Sequence, residues 1–152
     1  MRYRLVAVGK LKRGFSREGC ERYASLLRTL APLEIVEVRD QSSAGPEEAR
    51  RRHGRESLTA ADGHLLLLDE AGSSYTTAAM AKRVADLELA GTSRVTLLVG
   101  GPDGHSDELR DAAHSTLSLS PLTLPHELAR LVLLEQLYRV ESLRAGHPYH
   151  RA

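Results

Sequence analysis

The chain lacks most of the residues that would commit it to several large protein classes. Cys20 is its single cysteine, which excludes an intramolecular disulfide, a cysteine-rich zinc site and a paired thiol motif, and fits a reducing cytoplasm. There is no tryptophan and one phenylalanine beside five tyrosines, so the core must be built mainly from leucine, valine and alanine. That composition suits layers of helix and sheet. Lysine is scarce as well, with only Lys10, Lys12 and Lys82 against 18 arginines. The net charge of +1 excludes a coat that grips nucleic acid over the whole surface, so an anionic partner must be met by a local patch. Long apolar runs are missing too. Leu5 to Val8 is too short for a signal-peptide core, and nothing approaches the roughly 18 apolar residues of a membrane span. The expectation is a soluble, cytoplasmic protein whose 152 residues form a single domain, 1–152.

What is present alternates. Apolar strand patterns over 2–8, 33–38, 64–68, 94–99 and 115–119 are separated by helical spacing over 14–30, after Pro46, over 76–90, around 106–113, and from Pro125 to about Arg144. Parallel strands need crossover connections of a dozen or more residues, so this rhythm predicts an α/β fold, a mostly parallel sheet with helices on both faces.

In such sheets ligands gather where loops leave the carboxyl ends of strands. Three of these loops are unusual: Leu68-Asp69-Glu70-Ala71-Gly72, Gly100-Gly101-Pro102-Asp103-Gly104, and Ser118 to His126. The second is neither a dinucleotide fingerprint nor a triphosphate loop, and by itself fits either a tight turn or a ligand-facing backbone. In the third, Leu119, Leu122 and Leu124 are interrupted by Ser120, Pro121, Thr123 and Pro125. Its apolarity predicts burial, with the backbone satisfied either by neighbouring loops or by a heterocycle such as adenine.

The last helix is apolar over more than one stripe, from Leu128 to Leu143, which predicts contacts beyond its own sheet and suggests a twofold partner. Glu135 and Arg139 lie four apart, as either a helical ion pair or part of a site. The closing Gly146-His147-Pro148-Tyr149-His150-Arg151 either frays or places a proton acceptor and a phosphate binder over a pocket. Metal ligation is not expected, because Pro148 separates His147 from His150 and no further ligand cluster is visible. Six cations, Arg2, Arg4, Lys10, Lys12, Arg13 and Arg17, precede the first acid, Glu18. With Arg139, Arg144 and Arg151 they are candidates for phosphate contact, or simply solvated charge. Arg50, Arg51, Arg52 and Arg55, set among Glu47, Glu48 and Glu56, read as a helix surface.

In order along the chain, Leu5-Val6-Ala7-Val8-Gly9-Lys10, Leu68-Asp69 with Gly72, Val99-Gly100-Gly101 with Gly104, Leu117 to Ser120 with Thr123-Leu124-Pro125-His126, Glu135 to Arg139, and Pro148-Tyr149-His150 form a set. This set resembles the small bacterial SPOUT methyltransferases of the RlmH family from end to end. The resemblance implies an α/β trefoil knot near the C-terminus, methylation of N3 of a pseudouridine in 23S ribosomal RNA within the assembled ribosome, and a homodimer. It implies S-adenosylmethionine as methyl donor, without a metal, bound along Leu68, Gly100, Leu119, Ser120, Pro121, Leu122, Thr123 and Leu124. Catalytic candidates are His150 as base, with His126, Glu135 and Tyr149 behind it, and Arg139 to orient a phosphate or the uracil carbonyls. Val140 and Met80 depart from the family's usual residues. The alternatives are a dimeric knotted RNA or nucleotide binder without catalysis, and methylation of a different RNA.

Overall fold

Apolar alternation over Arg2–Val8 produces β1, and Gly9, at φ 76°, turns the chain out of the sheet. The computed structural model describes residues 1–150, excluding the His150 side chain. Helix α1 (Phe15–Arg28) leads to β2 (Leu33–Val38), and a short 3-10 turn over Ser42–Ala44 precedes α2 (Pro46–Ala60), where Pro46 occupies the first turn. Strand β3 (His64–Leu68) is followed by α3 (Thr77–Leu89), and β4 (Arg94–Val99) by α4 (Asp107–Ala112). Thr76 and Ser106 cap these two helices, accepting from the Ala79 and Leu109 backbone N–H groups at 3.1 and 3.2 Å. Strand β5 (Ser115–Leu117), α5 (His126–Arg144) and a 3-10 turn over Pro148–His150 complete the order.

All five strands are parallel, in the order β2-β1-β4-β3-β5. Side chains alternate across the sheet, and both faces are dry. Tyr3, Leu5, Ala7, Leu66, Leu68, Val95, Leu97 and Val99 meet α1, α3 and α5, while Val6, Val8, Leu65, Leu67 and Leu98 face α2 and α4. Gly54 admits α4 closely: a Cβ there would stand 2.3 Å from Ser106 Oγ.

Helix α5 packs between α1 and α3, burying Leu133, Leu134, Leu137, Tyr138 and Val140. Much of its apolar circumference is therefore satisfied within the chain, while Leu128, Ala129, Leu131, Val132 and Leu143 remain half-buried. Its far end is held by polar groups. Tyr3 Oη donates to Glu141 at 2.5 Å, and Arg144 bridges Glu141 and Glu88, which also holds the N-terminal ammonium. Burial, reinforced by Glu141, holds the Tyr3 phenol well above its ordinary pKa.

The pattern differs from the sequence expectation at two places, and the structure decides between the two readings of the tail. Strand β5 stops at Leu117 because the Ser118 N–H donates to Ser73 O at 2.8 Å instead of continuing a ladder, and Ser118 Oγ turns to Ser120 O. The third loop is buried only at its start: Ser118 is buried and Leu119, Ser120 and Leu124 are half-buried, but Pro121, Leu122 and Thr123 are exposed, Leu122 by 73%. Among the described residues nothing covers Leu122. The tail does not fray through Tyr149, whose ring docks on Tyr138 with 4.5 Å between centroids.

Candidate active site

Adjacent β4, β3 and β5 end together, and the loops leaving them enclose a cavity of about 690 Å³. That volume lies in the range of small-molecule sites, roughly 300–1,000 Å³. Leu68, Asp69 and Glu70 contribute from β3, Gly100, Gly101, Gly104 and His105 from β4, and Leu119, Ser120, Leu122, Thr123 and Leu124 from the segment after β5. His126 and Ala129, on the first turn of α5, close one side.

The cavity wall is built by close backbone approach. Gly100 has no room for a side chain, because a Cβ would stand 2.7 Å from the His105 ring. His105 folds back beneath it, with Nε2 donating to Leu68 O at 2.6 Å, so one imidazole ties the end of β4 to the end of β3. Burial holds this histidine below its ordinary pKa, against the opposing pull of the Leu68 carbonyl. Neutral imidazole is thus the structural form. Gly104, at φ 81°, closes the turn by donating its N–H to Gly101 O at 3.1 Å.

The loop after β3 is locked from both sides. Its Asp69 N–H donates to Leu117 O at 2.9 Å, its carboxylate pairs with Arg110 and accepts the Ala71 N–H at 3.0 Å. Burial pushes the Asp69 carboxyl upward, but the Ala71 N–H and Arg110 outweigh it and hold the group below the usual carboxylate range. Thr123 Oγ1 donates to Glu70 at 2.8 Å, joining this loop to the third. Gly72 fits where a Cβ would press within 3.0 Å of Thr116 and the Asp69 carbonyl.

The residues named from sequence fall into two groups. Leu68, Gly100, Leu119, Ser120, Leu122, Thr123, Leu124 and His126 line the cavity, and Pro121 lies in the same loop without lining it. Glu135, Arg139 and Tyr149 do not reach it. Along α5, Glu135 and Arg139 are about 14 and 20 Å beyond His126 at 1.5 Å per residue. There Glu135 accepts from Arg139 Nε at 3.0 Å, from Gln136 at 2.7 Å and from Tyr149 Oη at 3.2 Å. Arg139 also lies over the Tyr149 ring, 5.0 Å from its centroid. The bond to Glu135 raises the Arg139 guanidinium above its ordinary pKa, and burial with the Tyr23 hydroxyl raises the Tyr149 phenol. The His150 side chain and Arg151 lie outside the described residues.

Two polar cavity residues escaped the sequence reading: His105 and Arg110. The available signal was a histidine immediately after the glycine turn and before the Ser106 cap, but only the fold sets its ring beneath Gly100. The basic stretch also divides. Arg4 is engaged by Glu34 and the Ala60 carbonyl, Arg17 by Glu21, Arg139 by Glu135 and Arg144 by Glu141 and Glu88, leaving them less available to phosphate than the sequence suggested. On α2, Arg51 and Arg52 pair with Glu48, as a solvated helix face does. Burial pushes the Cys20 thiol up to about 11, which removes it as a nucleophile at neutral pH. Among the described residues no cluster of three or more His, Cys, Asp or Glu has a metal-binding arrangement, and no helix is long and apolar enough to cross a membrane.

Comparison with known proteins matches residues 1–150 to the family described as "Predicted SPOUT methyltransferase". A Thermus thermophilus protein named "Ribosomal RNA large subunit methyltransferase H" is 48% identical over 152 residues, covering 99% of both chains. One of the same name from Deinococcus deserti is 38% identical over 99% of this chain and all of its own length. Among solved structures, a probable methylase family protein from Haemophilus influenzae Rd KW20 aligns with 99% of this chain and 70% of its own, at a TM-score of 0.56 and 12% identity. That last likeness concerns the fold alone.

Proposed function

The chain belongs to the SPOUT methyltransferase family, and from that premise we propose that it is a single-domain, cytoplasmic enzyme that methylates N3 of a pseudouridine in 23S ribosomal RNA, acting on the assembled ribosome with S-adenosylmethionine as donor. The cavity at the ends of β3, β4 and β5 carries this reading. The names and near full-length identity of the relatives support large-subunit ribosomal RNA as substrate. The residues lining the cavity fit the donor. Leu119 and Leu124 offer apolar surface to a heterocycle, glycines at 100, 101 and 104 bring backbone donors and acceptors close, and the Asp69 and Glu70 carboxylates suit a cationic ligand. When bound, S-adenosylmethionine supplies an electrophilic methyl group on a positively charged sulfur.

The chain's own tasks are alignment and removal of one proton. N3 of pseudouridine carries hydrogen at neutral pH, so the new N–C bond requires that proton to pass to a base. His126 lies at the cavity edge, and His150 of the tail is the leading base, because histidine is the side chain whose ordinary titration lies nearest neutral pH. Arg139 orients a phosphate or the uracil carbonyls, while Glu135 and Tyr149 hold its guanidinium. These groups sit far from the cavity of their own chain, which favours a homodimer in which one protomer's α5 and tail complete the other's cavity. The trefoil knot belongs to the same reading, as does the absence of a metal requirement.

Two measurements test it. Calorimetry with S-adenosylmethionine is expected to give saturable one-site binding, and no heat or competition removes the donor. Mass spectrometry of 23S ribosomal RNA from a strain lacking the gene is expected to show loss of one methyl on a pseudouridine, restored by complementation. An unchanged RNA removes the substrate. His150→Ala is expected to slow transfer and flatten its pH profile, and a wild-type rate and profile would exclude His150 as base.

A further inference from the structure

The loop between β1 and α1 is the clearest feature that the cavity does not use. Its single phenylalanine, Phe15, opens α1 and is 74% exposed. A large apolar ring held in water at a helix start contributes nothing to the core. Around it Lys10, Lys12 and Arg13 are exposed, and among the described residues none of the three has an ion-pair or hydrogen-bond partner. The nearby acids are largely committed: Glu21 pairs with Arg17, and Asp40 accepts the Ser42 N–H and hydroxyl. Glu18 lies one turn into the helix.

The loop is anchored, not loose. Leu11, half-buried, packs against the main core between the exposed Lys10 and Lys12. The buried Arg130 of α5 donates to the Gly9 carbonyl at 3.0 Å and to Glu37 at 2.7 Å, fixing the loop's root one residue beyond Ala129 of the cavity wall. Strand β1 is paired to β4, and Val8 sits against Gly101, where a Cβ would be 3.1 Å from its Cγ1. The aromatic ring and its three cations therefore stand at the same end of the sheet as the cavity, one strand over.

We infer that this loop is an RNA contact: Lys10, Lys12 and Arg13 neutralise phosphates, and Phe15 stacks on an unpaired base flanking the methylated nucleotide. Cations interleaved with an exposed aromatic are the requirement for holding a single strand, because stacking tolerates any base while the cations follow the backbone. The inference rests on the ribosomal RNA reading above and adds to it the segment that holds the strand beside the cavity. A second copy of the chain is a poorer occupant, since two such loops would bring like charges together.

The test is equilibrium binding and methylation of large ribosomal subunits, from a strain lacking the gene, by the full chain. Phe15→Ala is expected to weaken binding and raise KM by about 10-fold, with kcat and S-adenosylmethionine affinity unchanged, and Phe15→Trp to restore both. Combined Lys10→Ala, Lys12→Ala and Arg13→Ala is expected to flatten the dependence of log K on log salt by about 2, from three phosphates at roughly 0.7 each. Binding by Phe15→Ala within about twofold of wild type, against the stacking loss, overturns the inference. A dimer that falls apart in sedimentation of Phe15→Ala also overturns it, by assigning the ring to a protein interface. If the wild-type chain neither binds nor methylates the subunits, the function proposed above fails with it. If it methylates them and Phe15→Ala matches its KM, only the loop's role fails.

Discussion

The cavity and the far half of α5 solve opposite problems. Around the cavity, glycine and irregular backbone keep space open: Gly100 yields its side-chain volume to His105, and Leu122 of the third loop is left exposed. Around Glu135 every group is already engaged, with Arg139, Gln136 and Tyr149 all converging on one carboxylate. The first region is shaped to receive a molecule and the second to hold its side chains still. A reaction that needs both must bring together surfaces that one chain keeps apart, which is why the separation along α5 bears on the assembly as much as on the chemistry.

The contrast is broken most directly at Gly100. Gly100→Val drives two methyl groups into the His105 ring, and we expect S-adenosylmethionine affinity measured by calorimetry to fall by about 100-fold, or ~2.7 kcal/mol, with the far-ultraviolet circular dichroism unchanged. Retained affinity would mean that the β4 turn does not shape the site.

The His105 imidazole provides a pH test. Its folded pKa is depressed below its ordinary value near 6.5, so its contribution is full above about 6.5 and declines as pH falls toward the folded pKa. Thermal stability is expected to drop across that window, and His105→Asn to reduce the dependence to the part left by His64, whose pKa is also lowered by burial and His114. An identical pH profile in the variant would assign the effect elsewhere.

At the other region, Glu135→Ala leaves Arg139 without its carboxylate and Tyr149 with only the Tyr23 hydroxyl as acceptor. Because Arg139 is partly solvated it regains water, and denaturation should register only about 1 kcal/mol, with S-adenosylmethionine affinity intact. A loss of cofactor binding would join the two regions. Tyr149→Phe keeps the ring on Tyr138 and removes only the long bonds to Tyr23 and Glu135, at a cost of about 0.5 kcal/mol in the same measurement.

Local pattern made much of this legible. The apolar runs gave four strands their limits, Pro46 and Pro125 marked helix starts, and Gly9, Gly91 and Gly104 stand at positive φ where chain direction changes. Contacts between distant residues were not legible. His105 is separated from Leu68 by 37 positions, Arg110 from Asp69 by 41 and Thr123 from Glu70 by 53, so no short window holds any of the three pairs. The third loop misled because its leucines look like core residues. Leu122 is left outside by Pro121 and by the turn in which Ser120 Oγ accepts the Leu122 N–H.

The sequence by itself determined a parallel α/β chain, a lone cysteine with no disulfide partner, a near-neutral charge and three unusual loops, because composition and periodicity act locally. Tertiary structure alone decided that β3, β4 and β5 lie side by side, so that their loops share one cavity, and that Glu135, Arg139 and Tyr149 gather away from it. Strand order and helix packing depend on which nonlocal surfaces fit, and that fit is a property of the whole folded chain.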